Sequence, residues 1–204
     1  MNSLLPRFAV VATFALSAGL ASPLTAQWGL ALDLQRSAYG GGSKDTTSGG
    51  PAGSFRPGNA RAVTLRLERR LGRAMVGLGA RYVRSAIVLD AQDIYVGLRG
   101  EFNAFEALPE VRIRVARSKR GAALELYGNA VIGVWAFEDF GARAVPGATV
   151  GVAGEFPIFD RLTASLRIGG SVLRTVFREG ELPPELVLRT MRRSEISLGL
   201  RYGR

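Results

Sequence analysis

The residue types that usually carry enzyme chemistry are missing from this sequence of 204 residues, which has no histidine and no cysteine. Without them there is no Ser-His-Asp triad, no imidazole base, no thiolate nucleophile, no Cys/His metal set and no disulfide. The hydroxyls that could still act as nucleophiles are Ser165, Ser171 and Ser197. Their expected neighbours are Glu and Arg, a poor set for activating a hydroxyl. Glu106 and Glu110 stand four apart, on one face if the segment is a strand, and could work as an acid and base pair. Arg112 and Arg114 follow on the same face, which makes salt-bridged filling the better reading. No catalytic residue, cofactor or metal site is expected.

Two loop-like stretches invite a ligand and neither fits one. The run GGGSKDTTSGG at 40–50 is glycine-rich with a lysine, but Ser43 precedes Lys44 where a phosphate-binding loop needs Gly, and no helix is signalled after it. It reads as a flexible surface loop. The stretch REGELPPE at 178–185 gathers Glu179, Glu181 and Glu185 without the spacing of a calcium loop, and reads as a solvated loop. The formal charge of +10, from 27 Lys+Arg against 17 Asp+Glu, raises nucleic acid as a partner. No basic stripe is interleaved with stacking aromatics, so none is expected.

The elements that must place these residues begin after an address. Arg7, the uncharged run Phe8 to Leu20 and the small-residue end Thr25-Ala26 form a secretory signal pattern. Pro23 and the polar Ser22, Thr25 and Gln27 leave the run short of the roughly 20 apolar residues of a membrane helix. Cleavage near Ala26 is expected, giving a signal peptide over 1–26 and one domain over 27–204. The export signal also removes the chain from nucleic acid.

From Trp28 onward apolar residues recur at every second position, the period of a strand. Eight segments show it: 28–35, 63–68, 76–82, 105–115, 124–134, 150–156, 162–169 and 195–202. The connections 69–73, 118–121 and 159–161 are short, whereas 40–59, 88–103, 137–144 and 177–189 are long. Short turns on one side and long loops on the other are the plan of an outer-membrane barrel, and an even strand count puts both termini on the short-turn side. Ile94 to Phe102 also alternates, with a phase shifted by one residue near Asn103. It reads as an extracellular strand extension or loop ribbon, joined through a bulge near Asn103.

Alternation alone would also suit a secreted lipocalin-like carrier, whose apolar face points inward. The polar face decides between the two. It carries Asp33, Arg66, Glu68, Arg81, Glu106, Glu110, Arg112, Arg114, Glu125, Glu155, Arg167, Glu195 and Arg201, with glycines between them. Paired charges beside small residues suit the narrow inside of an eight-stranded barrel, and the Leu, Val, Ile and aromatic face then meets lipid. Arg84, Arg143, Arg174 and Arg178 fall near the long-loop rim, where guanidiniums could meet lipopolysaccharide phosphates. Aromatics suggest two headgroup-level belts: Trp28, Phe156, Phe159 and Tyr202 near the short turns, and Tyr39, Tyr82, Trp135, Phe137 and Phe177 near the long loops.

With its leader, its strand tally and its last strand EISLGLRYGR, the chain resembles the small eight-stranded bacterial outer-membrane barrels of the outer-membrane-protein A transmembrane domain and outer-membrane-protein X type. The resemblance implies an all-β, eight-stranded antiparallel up-and-down transmembrane β-barrel in the bacterial outer membrane. It also implies handling by the barrel assembly machinery, through Tyr202 in place of the usual terminal aromatic. Outer-membrane barrel enzymes rely on a histidine, so a non-enzymatic structural or surface-interaction role is expected. The alternative is a narrow pore or a small-ligand transport or binding barrel. A monomer is expected, with outer-membrane lipid and lipopolysaccharide as its surroundings.

Overall fold

The computed structural model describes residues 27–41, 43–45, 53–91, 94–137, 141–178, 181 and 186–203. Residues 1–26, where a signal peptide is expected, lie outside them. The described residues form eleven strands and no helix: β1 (Gln27–Gly40), β2 (Ser43–Asp45), β3 (Gly53–Pro57), β4 (Ala60–Leu71), β5 (Ala74–Ala91), β6 (Ile94–Arg117), β7 (Ala123–Phe137), β8 (Gly141–Phe159), β9 (Leu162–Leu173), β10 (Leu186–Leu188) and β11 (Met191–Gly203). Eight of these pair with their neighbours in the order β1-β4-β5-β6-β7-β8-β9-β11, every pair antiparallel, and β11 returns to β1. The ring is closed by twelve registered pairs from Gly29↔Gly203 to Gly40↔Arg192. Closure removes the exposed strand edges that lipid cannot tolerate.

The alternating residues do what their period requires. On β4 the burial pattern reads inward and outward in strict succession from Ala60 to Glu68. The outward residues are apolar along most of each barrel strand: Leu34, Phe105, Val150 and Leu198 are each at least 64% exposed. A continuous apolar wall of that kind would aggregate in water, and it is the surface a hydrocarbon layer accepts. The inward residues are charged, polar or small toward the short turns.

The short turns fall where the sequence puts them. Gly72 and Arg73 join Leu71 to its partner Ala74, with Gly72 at φ 63°, a left-handed value that favours glycine in a two-residue hairpin. Ser118–Ala122 and Asp160–Arg161 close the other two turns at the same end, where β1 begins and β11 finishes. At the far end one expectation holds and two need correction. Ile94 to Phe102 is the expected strand extension, since β6 starts at Ile94 and β5 runs out to Ala91 to meet it. The irregularity lies between Ala86 and Val88, opposite Glu101 and Gly97, and not at Asn103. There β5 itself changes phase, from Val83 and Ser85 inward to Val88 inward, so the bulge is a property of both strands. Within the glycine-rich run, Ser43–Asp45 is a strand pairing with Leu186–Leu188, and β3 pairs with the outer part of β5.

Candidate functional site

The polar face converges inside the barrel, where seven carboxylates (Asp33, Glu68, Glu106, Glu110, Glu125, Glu155, Glu195) meet eight guanidiniums (Arg66, Arg70, Arg81, Arg112, Arg114, Arg167, Arg193, Arg201). The set is therefore close to neutral, and the charge excess of the chain lies elsewhere. All thirteen charged residues that the alternation puts on the polar face lie in this lattice. Arg70 and Arg193 belong to it as well, and their parity with Glu68 and Glu195 was the available signal.

The geometry near the middle of the barrel is built on Glu106. Its carboxylate accepts from Arg81 Nε at 2.6 Å and from Arg193 at 3.0 Å. Because β6 and β11 lie on opposite sides of the ring, the second bond crosses the lumen. Glu195 is held by Arg81 at 3.1 Å, by Arg193 at 3.3 Å and by the Gln35 amide at 3.0 Å. Nearer the short turns, Glu110 takes Arg167 and, at 2.9 Å, Arg112, while Asp33 and Glu68 receive Arg66 at 3.0 Å each. Arg112 also reaches Glu68, Glu125 and Glu155. Arg70 spans from β4 to Glu155 on the opposite strand β8 at 3.4 Å, and Arg201 meets the same carboxylate at 2.8 Å. Arg114 reaches Glu125 at 3.6 Å. The Arg167 guanidinium also stacks 4.0 Å from the centre of the Tyr127 ring, which lies against Gly151 and Gly169, where a side chain would collide with it.

This arrangement leaves little for catalysis to use. Glu106 and Glu110 are both engaged by guanidiniums. The Ser171 hydroxyl shares a hydrogen bond with Thr149 at 2.9 Å and accepts from Arg193 at 3.3 Å, and neither group is a base. Ser165 and Ser197 are buried in the wall, registered against Glu155 and Gln35.

Toward the long loops the interior changes character. Tyr39, Phe102, Val131, Trp135, Val145, Leu173, Val176, Phe177 and Met191 form one buried apolar cluster. Phe102 stacks on Trp135 with ring centres 4.8 Å apart, and Tyr39 meets Trp135 edge-on at 5.8 Å. Tyr39, Trp135 and Phe177 therefore fill the lumen and do not form an outer belt, because their parity on the strand or their loop position turns them inward. The Phe137 side chain is not among those described. Trp28, Phe156, Phe159, Tyr202 and Tyr82 do face outward.

The residues after β9 fold across the mouth. Arg143 donates to the Val176 carbonyl and grips Glu181 with both terminal nitrogens, at 2.6 and 2.5 Å. Burial opposes ionisation of Glu181, but the Arg178 amide at 2.8 Å and the Arg143 guanidinium outweigh it and hold the carboxyl below its usual range. Arg143 is thus buried and committed to an internal partner, which corrects its expected place at the lipid headgroups. Arg84, Arg174 and Arg178 are exposed. Glu179 and Glu185 lie outside the described residues.

No family model matches the sequence, and no curated protein is similar to it in sequence. The fold has close company among solved structures. The crystal structure of Neisserial surface protein A matches at a TM-score of 0.52 and 10% identity, covering 86% of this chain and 96% of that one. The outer membrane protein OprG from Pseudomonas aeruginosa matches at 0.53 and 8%, covering 87% and 95%. At such identity the likeness is one of fold, and the fold is that of the small eight-stranded outer-membrane barrels.

Proposed function

We propose that this chain is a non-enzymatic integral outer-membrane protein, a sealed barrel that holds its extracellular strands as a surface-interaction platform. The observation that carries the reading is the filling of the lumen. Ion pairs span it between opposed strands, an apolar cluster lies above them, and the segment around Val176 and Phe177 covers that cluster. An eight-stranded barrel has room for its side chains and little else. What projects beyond the apolar wall is the long β5–β6 hairpin with β3 added to its edge, and the β2–β10 ribbon. These give the chain an outer surface rather than a conduit. Tyr202, outward near the end of β11, is the aromatic it would offer to the barrel assembly machinery.

Planar-bilayer recording on the refolded full-length chain tests the sealed lumen. The expected trace is flat apart from rare, brief openings. A steady single-channel current would overturn the reading in favour of a narrow pore.

A further inference from the structure

The positive excess of the chain lies outside the nearly neutral lumen, and it is not spread evenly. The long connections mix both signs, with Asp90, Asp93, Glu138, Asp139, Glu179 and Glu185 among their arginines. The short-turn end does not. The turns 72–73 and 118–121 are neighbours in the ring because β5 pairs with β6, and they carry Arg73, Lys119 and Arg120, with Arg117 at the end of β6. All four are exposed, and among the described residues none of them forms an ion pair. Glu125 and Glu155, buried at this end of the lumen, are already held by Arg70, Arg112, Arg114 and Arg201. Among the described residues the one carboxylate exposed at this end, Asp160, stands beside Arg161 on the third turn.

The backbone fixes where these cations stand. The Arg114 amide donates to the Arg73 carbonyl at 2.9 Å and ties the first turn to β6. The second turn is closed by the Ser118 amide on the Ala122 carbonyl at 2.7 Å and the Gly121 amide on the Ser118 carbonyl at 3.0 Å. Both turns are too short to reach far from the wall. Leu71 and Val115, apolar and exposed, lie two residues before Arg73 and Arg117. On β4 the Arg69 guanidinium lies 5.7 Å from the centre of the outward Trp28 ring, a pairing of cation and aromatic suited to the membrane interface. The cations therefore begin where the apolar wall ends, at the level of lipid headgroups.

We propose that Arg73, Arg117, Lys119 and Arg120 form a binding site for anionic phospholipid of the periplasmic leaflet, which anchors the short-turn end of the barrel at that surface. β1 begins and β11 finishes at this end, the periplasmic side of an even-stranded barrel. Guanidinium and ammonium groups both take phosphate oxygens, and a basic cluster at a membrane surface is drawn to lipid of net negative charge. A zwitterionic headgroup brings its own ammonium into the cluster and offsets that attraction. An acidic polymer in the water beyond would leave the flush position of the cations against Leu71 and Val115 unused. The proposal rests on the outer-membrane reading above for the leaflet it meets, but the lipid preference is measurable without the cell.

Native mass spectrometry of the full-length chain refolded in non-ionic detergent reads the phospholipid it retains. Phosphatidylglycerol and phosphatidylethanolamine with the same acyl chains are offered in equal amounts. The expected result is preferential retention of phosphatidylglycerol, reduced by a factor of about ten or more in the triple variant R117Q/K119Q/R120Q, since each surface cation is worth a factor of about five. The replaced side chains are exposed and lie outside the lattice, and heat-modifiable gel migration verifies that the variant is folded. The double variant R36Q/R61Q, which removes exposed arginines at the opposite end of the wall, should retain phosphatidylglycerol as the original chain does. Equal retention of the two lipids, undiminished retention by the folded triple variant, or an equal loss in R36Q/R61Q would overturn the site. So would sedimentation of the chain with purified peptidoglycan that the triple variant abolishes, which would give the turns to that polymer. Membrane fractionation of cells, which reads location alone, separates failure of the site from failure of the outer-membrane reading.

Discussion

On the long-loop side of Glu106 the lumen is filled by Phe102, Trp135, Leu173 and Met191, and on the short-turn side by arginines and carboxylates. Both fillings close the same narrow cylinder, but they make different demands. The aromatic cluster needs only volume and contact. The ionic lattice needs every charge matched, because an uncompensated charge in a region away from water is far more costly than a missing methyl group. The apolar half should therefore forgive changes that keep volume. The charged half should not forgive the loss of a single partner, even though its charges nearly cancel overall. The boundary residue Glu106 belongs to both halves, since Arg193 carries its charge up toward the face of Tyr39, 5.9 Å from the ring centre.

The largest effect is expected at that boundary. Glu106→Ala leaves Arg81 without its main partner and Arg193 with only Glu195, so the folded barrel should lose about 3–5 kcal/mol. Urea unfolding in lipid vesicles reads this as a shifted midpoint. Replacing the whole group, with Arg81→Met, Glu106→Leu, Arg193→Met and Glu195→Gln together, should restore most of the loss by extending the apolar filling downward without stranding the Glu195 carboxylate. If the quadruple variant is no more stable than Glu106→Ala alone, charge pairing is not what distinguishes the two halves.

The division between wall and lumen was legible from the sequence because lipid and lumen impose opposite chemistries on successive residues. The inward positions Arg66, Glu68, Arg81, Glu110 and Arg167 follow from that alternation alone. Three kinds of feature are not legible in this way. The aromatic residues Tyr39 and Trp135 look like belt residues if judged by their height along the strand. Their parity with Gln35 and with Tyr127 turns them inward, because the alternation continues to the strand end. The pairing of Ser43–Asp45 with Leu186–Leu188 joins two three-residue strands far apart in the chain. Neither has enough alternation to announce itself, and the register depends on where the barrel puts the two loops. The pattern of β6 alone points to a bulge near Asn103, whereas the irregularity also involves a phase change on β5.

A smaller effect should come from the apolar half. Trp135 is fully buried, yet its indole Nε1 makes no hydrogen bond among the described residues. Trp135→Phe keeps the stack on Phe102, loses part of the ring volume and removes that unpartnered donor. The cost should stay below about 1.5 kcal/mol in the same vesicle assay. A loss as large as that from Glu106→Ala would mean that the two halves are equally exacting, and the contrast between volume filling and charge matching would fail.

The smallest effect is confined to the mouth, where Arg143 and Glu181 form an ion pair at the edge of the apolar half. The folded-state carboxyl of Glu181 is held below its ordinary value, so its contribution is present above that ordinary value. It is lost as the pH falls through the lowered one. Glu181 is partly exposed, so solvent screening keeps the contribution modest. The exchange protection of 174–178, taken relative to the intrinsic amide rate at each pH, should therefore fall on acidification from neutral pH to below the usual carboxylate range, while the strands around Val131 and Val145 keep their protection. The Glu181→Gln variant should show the lower protection already at neutral pH and little further change on acidification. Loss of strand protection over the same pH range would place the acid sensitivity in the buried lattice, and the mouth would no longer be the separable part of the apolar half.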